Sequence, residues 1–377
     1  MEVNSCIFKK NTVTNETFFS DICIWQVFPS PHTLYLALSL KKYFGNVSYV
    51  ISTTSIAARE NSGWNSNYSV DLEFICLNNS EEIYSFIKRK SLNCVHLVQG
   101  LRGHSLIKDF HRASIELSLQ NVYIFFETIR CRSKIEFLFK TWYYKKFYKD
   151  QISRYSFLAI GNAKRFLKEI GVSDSSILDF NYYIKYSETN SFENENKLFT
   201  FIFIGSLDKR KNLIEFFQAL KHINENSYRV LVVGNGPLRS YLERYSKDIC
   251  RKIEWIGTIS IDKIPVILSG SDCLILPSKH DGYGVVCNEA LTQGVPVICS
   301  DRCGAAAIVA NAPYSYVYQS GDVLSLSELL KMKLHAGRLS SSQKQEILTF
   351  SQKLICDYGA GLFYNYHSDK RLSHLNK

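Results

Sequence analysis

From Phe199 onward the chain alternates short apolar β-rich runs with helical stretches, a rhythm that few folds accommodate. The runs are Phe199–Gly205, Arg229–Val233, Ile253–Ile256, Asp272–Leu276, Pro296–Cys299 and Tyr314–Tyr318. In the first intervening stretch, Lys211–Ile223, residues Leu213, Phe216, Phe217 and Leu220 recur at i, i+3, i+4 and i+7, which is one buried helical stripe. Strand–helix units in series predict a parallel sheet covered by helices on both faces. Ligands of such sheets bind beyond the carboxyl ends of the strands.

The first half repeats the rhythm more faintly. Ile22–Phe28, Val47–Ile51, Leu72–Cys76, Val95–Gln99, Val122–Phe126 and Phe157–Ile160 read as strands, with helices expected at Leu34–Phe44, Glu81–Lys90, Ser105–Leu117 and Lys134–Lys149. Ser187–Lys197 lacks periodicity and reads as a linker. At 377 residues two domains are expected. The fold class is therefore α/β, with two Rossmann-like doubly wound domains facing a cleft. The expected divisions are 1–186, a linker at 187–198, a second domain at 199–350, and a C-terminal helix at 351–377.

Composition excludes some classes. With 46% hydrophobic and 21% charged residues the chain is globular rather than disordered. It holds no apolar run near the roughly 18 residues a membrane-spanning helix needs. No secretory signal is visible in the first twenty residues, and the eleven cysteines lack zinc-type spacing, so reduced thiols in the cytoplasm are expected. The net charge of +10 is uneven: residues 1–186 contribute +7, and 130–168 hold 11 basic but only 2 acidic residues. That concentration predicts an anionic surface or substrate. Nucleic acid is not expected, because no recognised binding module accompanies the basic stretch.

Four elements carry chemistry. Phe199–Asn212, F-T-F-I-F-I-G-S-L-D-K-R-K-N, is a strand ending in Gly205 and Ser206, followed by the adjacent cations Arg210 and Lys211. Paired cations there suit a diphosphate, neutralising charge as a phosphate departs. Val232–Pro237, V-V-G-N-G-P, resembles a dinucleotide turn without its third glycine. Gly257 ends the W-I-G strand and leaves room for a flat ring. Asp281–Glu289, D-G-Y-G-V-V-C-N-E, sets two carboxylates eight positions apart around a G-x-G turn at a helix start.

In this order the elements resemble the retaining glycosyltransferases of family 4, the group that includes bacterial polysaccharide and lipopolysaccharide glycosyltransferases and sucrose and glycogen synthases. The likeness is specific over about 199–310 and architectural over 1–190. It implies the GT-B fold, with a nucleotide-sugar donor on the C-terminal domain and a glycan acceptor, lipid-linked by family habit, on the N-terminal one. On this resemblance Arg210 and Lys211 hold the donor diphosphate. Asp281, shorter than the family's Glu, meets the transferred sugar. Glu289 accepts the ribose hydroxyls, and Gly282, Tyr283, Gly284 and Val285 supply the backbone approach to sugar and phosphate. Many members carry Arg where this chain has Ser206. Many also present a His at an N-domain strand end; here that place falls to Glu127 or to His104. His32 is a further acceptor-side candidate.

The implied reaction is retaining transfer in cell-surface polysaccharide synthesis (O-antigen or capsule). No D-x-D cluster is present and no metal is expected. A sugar-nucleotide epimerase or hydrolase, or a non-catalytic nucleotide-sugar-binding subunit, are the alternatives. In Lys134–Lys149, Ile135, Leu138, Phe139 and Trp142 form one helical face and Phe137, Tyr144 and Tyr148 a second. One face packs the core; the other, bordered by lysine, suits an anionic membrane surface on the inner side of the cytoplasmic membrane.

Overall fold

The structure is a computed structural model describing residues 21–52, 71–90, 93–131, 133–186, 198–223, 227–247, 249 and 252–375, with the side chains of 373–375 left aside. The expected linker, save for residue 198, falls outside the described residues.

Two all-parallel sheets organise the molecule. The first holds β1 (Ile22–Trp25), β2 (Val47–Ile51), β3 (Glu73–Cys76), β4 (Val95–Gln99), β5 (Val122–Glu127), β6 (Ser156–Ile160) and β7 (Ile177–Phe180), in the order β3-β2-β1-β4-β5-β6-β7. The second holds β8 (Phe199–Ile204), β9 (Tyr228–Val233), β10 (Ile253–Gly257), β11 (Cys273–Leu276), β12 (Val297–Ser300) and β13 (Tyr316–Tyr318), in the order β10-β9-β8-β11-β12-β13. Helices cover both faces, so central strands are apolar throughout; all six residues of β8 are buried. Each sheet reverses its strand order once, at β1/β4 and at β8/β11, and a crevice opens at such switch points.

The two Rossmann-like domains expected of the chain are present. Strand β7 was not anticipated: four residues, I-L-D-F, are too short to show periodicity. Ser30 caps the helix Pro31–Leu40, accepting the Thr33 N–H, with Pro31 in its first turn. That helix begins three residues before the expected one and absorbs His32. The helix at Lys134 ends at Phe147, and a separate short one spans Lys149–Arg154.

The chain crosses between lobes a second time. Ile184 and Ile355 pair, with the Cys356 N–H donating to Ile184 O at 2.9 Å. The helix Cys356–Leu375 then packs on Pro31–Leu40. Asp357 accepts from Ser39 Oγ and Lys42 Nζ, both at 2.7 Å, and Tyr364 stacks on Tyr43.

On the helix Lys134–Phe147, Tyr144 packs inward against Phe126 and Phe166. Ile135, Leu138, Phe139 and Trp142 face outward, 79, 66, 61 and 51% exposed. The exposed face is thus the aliphatic and tryptophan one. Among the described residues no helix is long and apolar enough to cross a membrane.

Candidate functional site

The loop after β8 is built around Asp208. Its carboxylate accepts the N–H groups of Arg210 and Lys211, both at 2.9 Å, and the Ser206 hydroxyl at 2.8 Å. Burial would raise its pKa, but the Lys211 N–H, the Ser206 hydroxyl and the Arg210 charge outweigh that and hold it below the usual range. Asn212 then takes a left-handed conformation, φ 53°, and the helix starts only at Leu213. Gly205 lets Lys211 fold back over the strand end: a Cβ there would stand 3.2 Å from Lys211 Cε.

Lys211 is 9% exposed, and its Nζ lies 2.5 Å from Asp281 Oδ2. Arg210 Nη1 lies 3.5 Å from the other carboxylate oxygen, Asp281 Oδ1. Both cations thus touch Asp281, yet they line different cavities. Lys211 enters one of about 330 Å³ with Asp281, Gly282, Tyr283, Gly284 and Val285, whereas Arg210 borders another with Lys279 and Arg130. Of the pair, Lys211 alone lines the Asp281–Val285 cavity.

The G-x-G turn is held by close backbone contact. Gly304 abuts it so tightly that a Cβ at 304 would lie 2.2 Å from Gly282 O. Across the cleft, Gly161 of the N-terminal lobe meets Gly304: a Cβ at 161 would stand 2.9 Å from Gly304 Cα. The helix after the turn, Val286–Leu291, has only six residues. Few peptide dipoles add along it.

Glu127, the last residue of β5, reaches the same place from the other lobe. Its Oε2 lies 2.8 Å from where a Gly282 Cβ would stand, and its Oε1 accepts the Tyr182 hydroxyl. Burial and the adjacent Glu127 charge push the Tyr182 phenol well up. Tyr182 packs edge-on against Tyr283 at 5.3 Å, and Asn288 donates to Tyr182 O at 2.8 Å. Glu289 is half-buried one residue further on. Burial pushes its carboxyl up to about 7, and the Lys211 charge offsets part of that, so the two share one neighbourhood.

The other candidates divide. His104 caps the helix Ser105–Glu116, its Nδ1 accepting from Leu106 N–H at 3.2 Å. With Gln26, Gln99, Arg102, Glu127 and Tyr182 it lines a cavity of about 350 Å³ in the N-terminal lobe. That cavity and the Lys211 cavity share Glu127 and Tyr182. His32 was expected on an acceptor-facing loop. It instead lies in the first turn of Pro31–Leu40, lines neither cavity, and burial lowers its pKa to about 4. Ser206 is engaged by Asp208. Gly257, φ 82°, accepts the Gly234 N–H at 2.7 Å and also lies outside both cavities.

Sequence reasoning missed Tyr182, Asn288 and Gly304. Asn288 and Gly304 sit within the conspicuous 281–305 stretch; Tyr182 carries no local signal. It also missed a buried group under the N-terminal sheet: ligand atoms of Cys23, Cys94 and His96 lie within 4.8 Å of one another. The Trp25 indole N–H donates to His96 Nδ1 at 3.1 Å, occupying a lone pair that a metal would need.

Known proteins resemble the chain in sequence over its C-terminal part and in fold along nearly its whole length. The family described as glycosyl transferases group 1 matches residues 187–347, less than half of the chain. A UDP-Gal:α-D-GlcNAc-diphosphoundecaprenol α-1,3-galactosyltransferase of Escherichia coli is 31% identical over 137 residues, covering 35% of each chain. An α-1,4-N-acetyl-D-galactosaminyltransferase of Campylobacter jejuni is 28% identical over 150 residues, 39% of this chain and 40% of that protein. The chain therefore matches well under two thirds of the length of these curated relatives. Solved structures align nearly end to end. Anabaena Alr3699/HepE in complex with UDP and glucose has TM-score 0.64 at 13% identity, covering 94% of this chain and all 100% of that one. The lipopolysaccharide outer core galactosyltransferase WaaB has TM-score 0.67 at 13% identity, covering 93% and 99%. The fold is thus that of GT-B glycosyltransferases, and its C-terminal half matches glycosyl transferases group 1.

Proposed function

We propose that the protein is a retaining glycosyltransferase of family 4 that moves a sugar from a nucleotide-sugar to a lipid-linked glycan in cell-surface polysaccharide synthesis. One observation carries this reading: the Lys211 cavity of one lobe and the His104 cavity of the other meet at Glu127 and Tyr182. A donor in the first and an acceptor in the second would bring their reacting atoms to that junction.

The charges suit the chemistry. Breaking the bond from anomeric carbon to phosphate leaves positive charge on the sugar and negative charge on the nucleotide. Lys211, largely desolvated, neutralises the departing phosphate; Asp281 holds its ammonium in place beforehand. The Glu127 carboxylate, beside Gly282, faces the growing positive charge on the ring. Glu289 takes the ribose hydroxyls. The acceptor hydroxyl attacks from the face the phosphate leaves, which retains configuration, and gives its proton to the departing phosphate oxygen. With this cation in place the reaction requires no metal ion. The exposed face of Lys134–Phe147, with Lys145 and Lys146 beside it, docks on the anionic inner leaflet, from which a lipid-linked acceptor is reached.

The test is to incubate the protein with UDP- and GDP-sugars and a lipid-linked glycan acceptor, and to analyse products by mass spectrometry and NMR. Transfer with an unchanged anomeric configuration is expected. Release of free sugar at the same rate without acceptor, or an inverted linkage, would contradict the proposal.

A further inference from the structure

The cavity that Arg210 borders is separate from the two that meet at Glu127. It measures about 640 Å³ and is two-sided in character. Its rim carries Arg130, Lys209, Arg210 and Lys279. Arg130 comes from the N-terminal lobe and the others from the C-terminal one, so the rim bridges the cleft. The side chains of Arg130, Lys209 and Lys279 have no carboxylate partner among the described residues. His280, on the same wall, is lowered by burial and by the nearby Arg130 and Arg210, with Asp281 offsetting part of that. The floor is apolar, made by Leu213 and Leu242, both buried, with the half-buried Leu238 and the ring of Tyr241.

The polar inventory narrows the ligand. A nucleoside or a sugar needs carboxylates or amides that accept its hydroxyls. The one carboxylate on this wall, Asp208, already accepts two backbone N–H groups and a hydroxyl, and the one amide, Asn212, is buried and donates to Glu215. What is left is a ring of exposed cations above a hydrocarbon floor. That pairing fits a phosphorylated end group joined directly to an alkyl or isoprenoid chain. The position agrees. Arg130 lies four residues before the helix with the exposed Ile135, Leu138 and Trp142, and its carbonyl accepts Lys140 Nζ, tying the rim to that apolar face.

We infer that this pocket binds the diphosphate and the first isoprene units of the lipid-linked acceptor, with Arg130, Lys209 and Lys279 on the phosphates. This inference rests on the transferase reading and specifies its acceptor: a prenyl diphosphate glycan rather than a free saccharide or a glycerolipid. The lipid would leave the bilayer along the exposed face of Lys134–Phe147, place its phosphates at the rim, and direct its sugar toward Glu127.

The experiment titrates the full chain with farnesyl diphosphate, farnesol and inorganic pyrophosphate by calorimetry, with and without saturating UDP. Farnesyl diphosphate is expected to bind at least about tenfold tighter than either fragment, because only it satisfies rim and floor together. The double variant Lys209→Ser/Lys279→Ser should lose at least about tenfold of that affinity, and Leu238→Gln a smaller part, while UDP affinity changes by less than about twofold. Two results overturn the inference: farnesyl diphosphate binding that is indifferent to Lys209→Ser/Lys279→Ser, or displacement of farnesyl diphosphate by UDP in equal stoichiometry, which would make this the nucleotide pocket. Failure of the transferase reading looks different. Farnesyl diphosphate would then bind as described while no nucleotide-sugar gives up its sugar.

Discussion

Burial raises Glu289 to about 7, which places a protonation equilibrium at physiological pH on the residue proposed to meet the donor's ribose. The ribose hydroxyls are best accepted by the carboxylate, so binding in the proposed mode releases the proton. With a pKa near 7, about nine tenths of the unliganded protein carries that proton at pH 6 and about one tenth at pH 8. Affinity for a nucleotide-sugar should therefore rise about tenfold from pH 6 to pH 8, ~1.4 kcal/mol, and level off above. A nucleotide-sugar is the ligand of choice because its diphosphate, esterified at both ends, keeps constant charge across that range. Calorimetry in two buffers of different ionisation enthalpy reads the proton directly. About nine tenths of a proton should leave per ligand at pH 6, falling to about one tenth at pH 8. Burial lowers His32 to about 4, so it stays neutral across that range. The unliganded protein follows the opposite trend. Because the folded pKa lies above the ordinary 4.5, stability from this group is present below that value and is lost as pH rises through 7. Glu289→Gln should abolish both dependences. If Glu289→Gln keeps the same proton release, or if the wild-type affinity is flat between pH 6 and 8, Glu289 does not meet the ribose.

Three further outcomes are expected. Gly304→Ala places a methyl group 2.2 Å from Gly282 O and 2.8 Å from Tyr283 Cα, so the turn must shift by about an ångström; turnover should fall roughly 100-fold with circular dichroism retained, and near-normal turnover would show that the turn's position is not critical. Lys145→Ala/Lys146→Ala removes two cations from the exposed helix and should weaken binding to phosphatidylserine vesicles about thirtyfold, ~2 kcal/mol, with little change on neutral vesicles; equal binding to both vesicle types would remove the membrane role. Treatment with EDTA followed by desalting should leave the rate within about twofold, because in the proposed mechanism Lys211 supplies the charge a metal ion would; a loss reversed by magnesium would contradict that.

Legibility in the sequence followed locality. The second sheet was readable because its inner strands are short apolar runs, and β8 is buried along its whole length. The 281–289 turn was readable because its acids and glycines lie within nine residues. The placement of His32 was also encoded: Ser30-Pro31 is a cap followed by a first-turn proline, a helix start that a reading centred on Leu34 overlooks. The meeting of the lobes was less accessible. Glu127 and Gly282 lie 155 positions apart and touch because two separate sheets present their carboxyl ends to one cleft. The divergence of Arg210 from Lys211 depends on the left-handed Asn212 and on the Asp208 turn, which side-chain identity alone does not reveal. The helix Lys134–Phe147 showed two apolar faces, and only the packing of Tyr144 on Phe126 and Phe166 tells which one is spare.

The central claim is that Lys211 from one lobe and Glu127 from the other act on the same activated sugar. A double-mutant cycle on kcat/KM with Lys211→Ala and Glu127→Gln tests it most directly. Each single variant should lose at least about tenfold, ~1.4 kcal/mol, and the double variant should lose clearly less than the sum, with a coupling above about 1 kcal/mol. Losses that add to within about 0.5 kcal/mol, or a Lys211→Ala enzyme of unchanged rate, would mean that the two residues do not share a transition state.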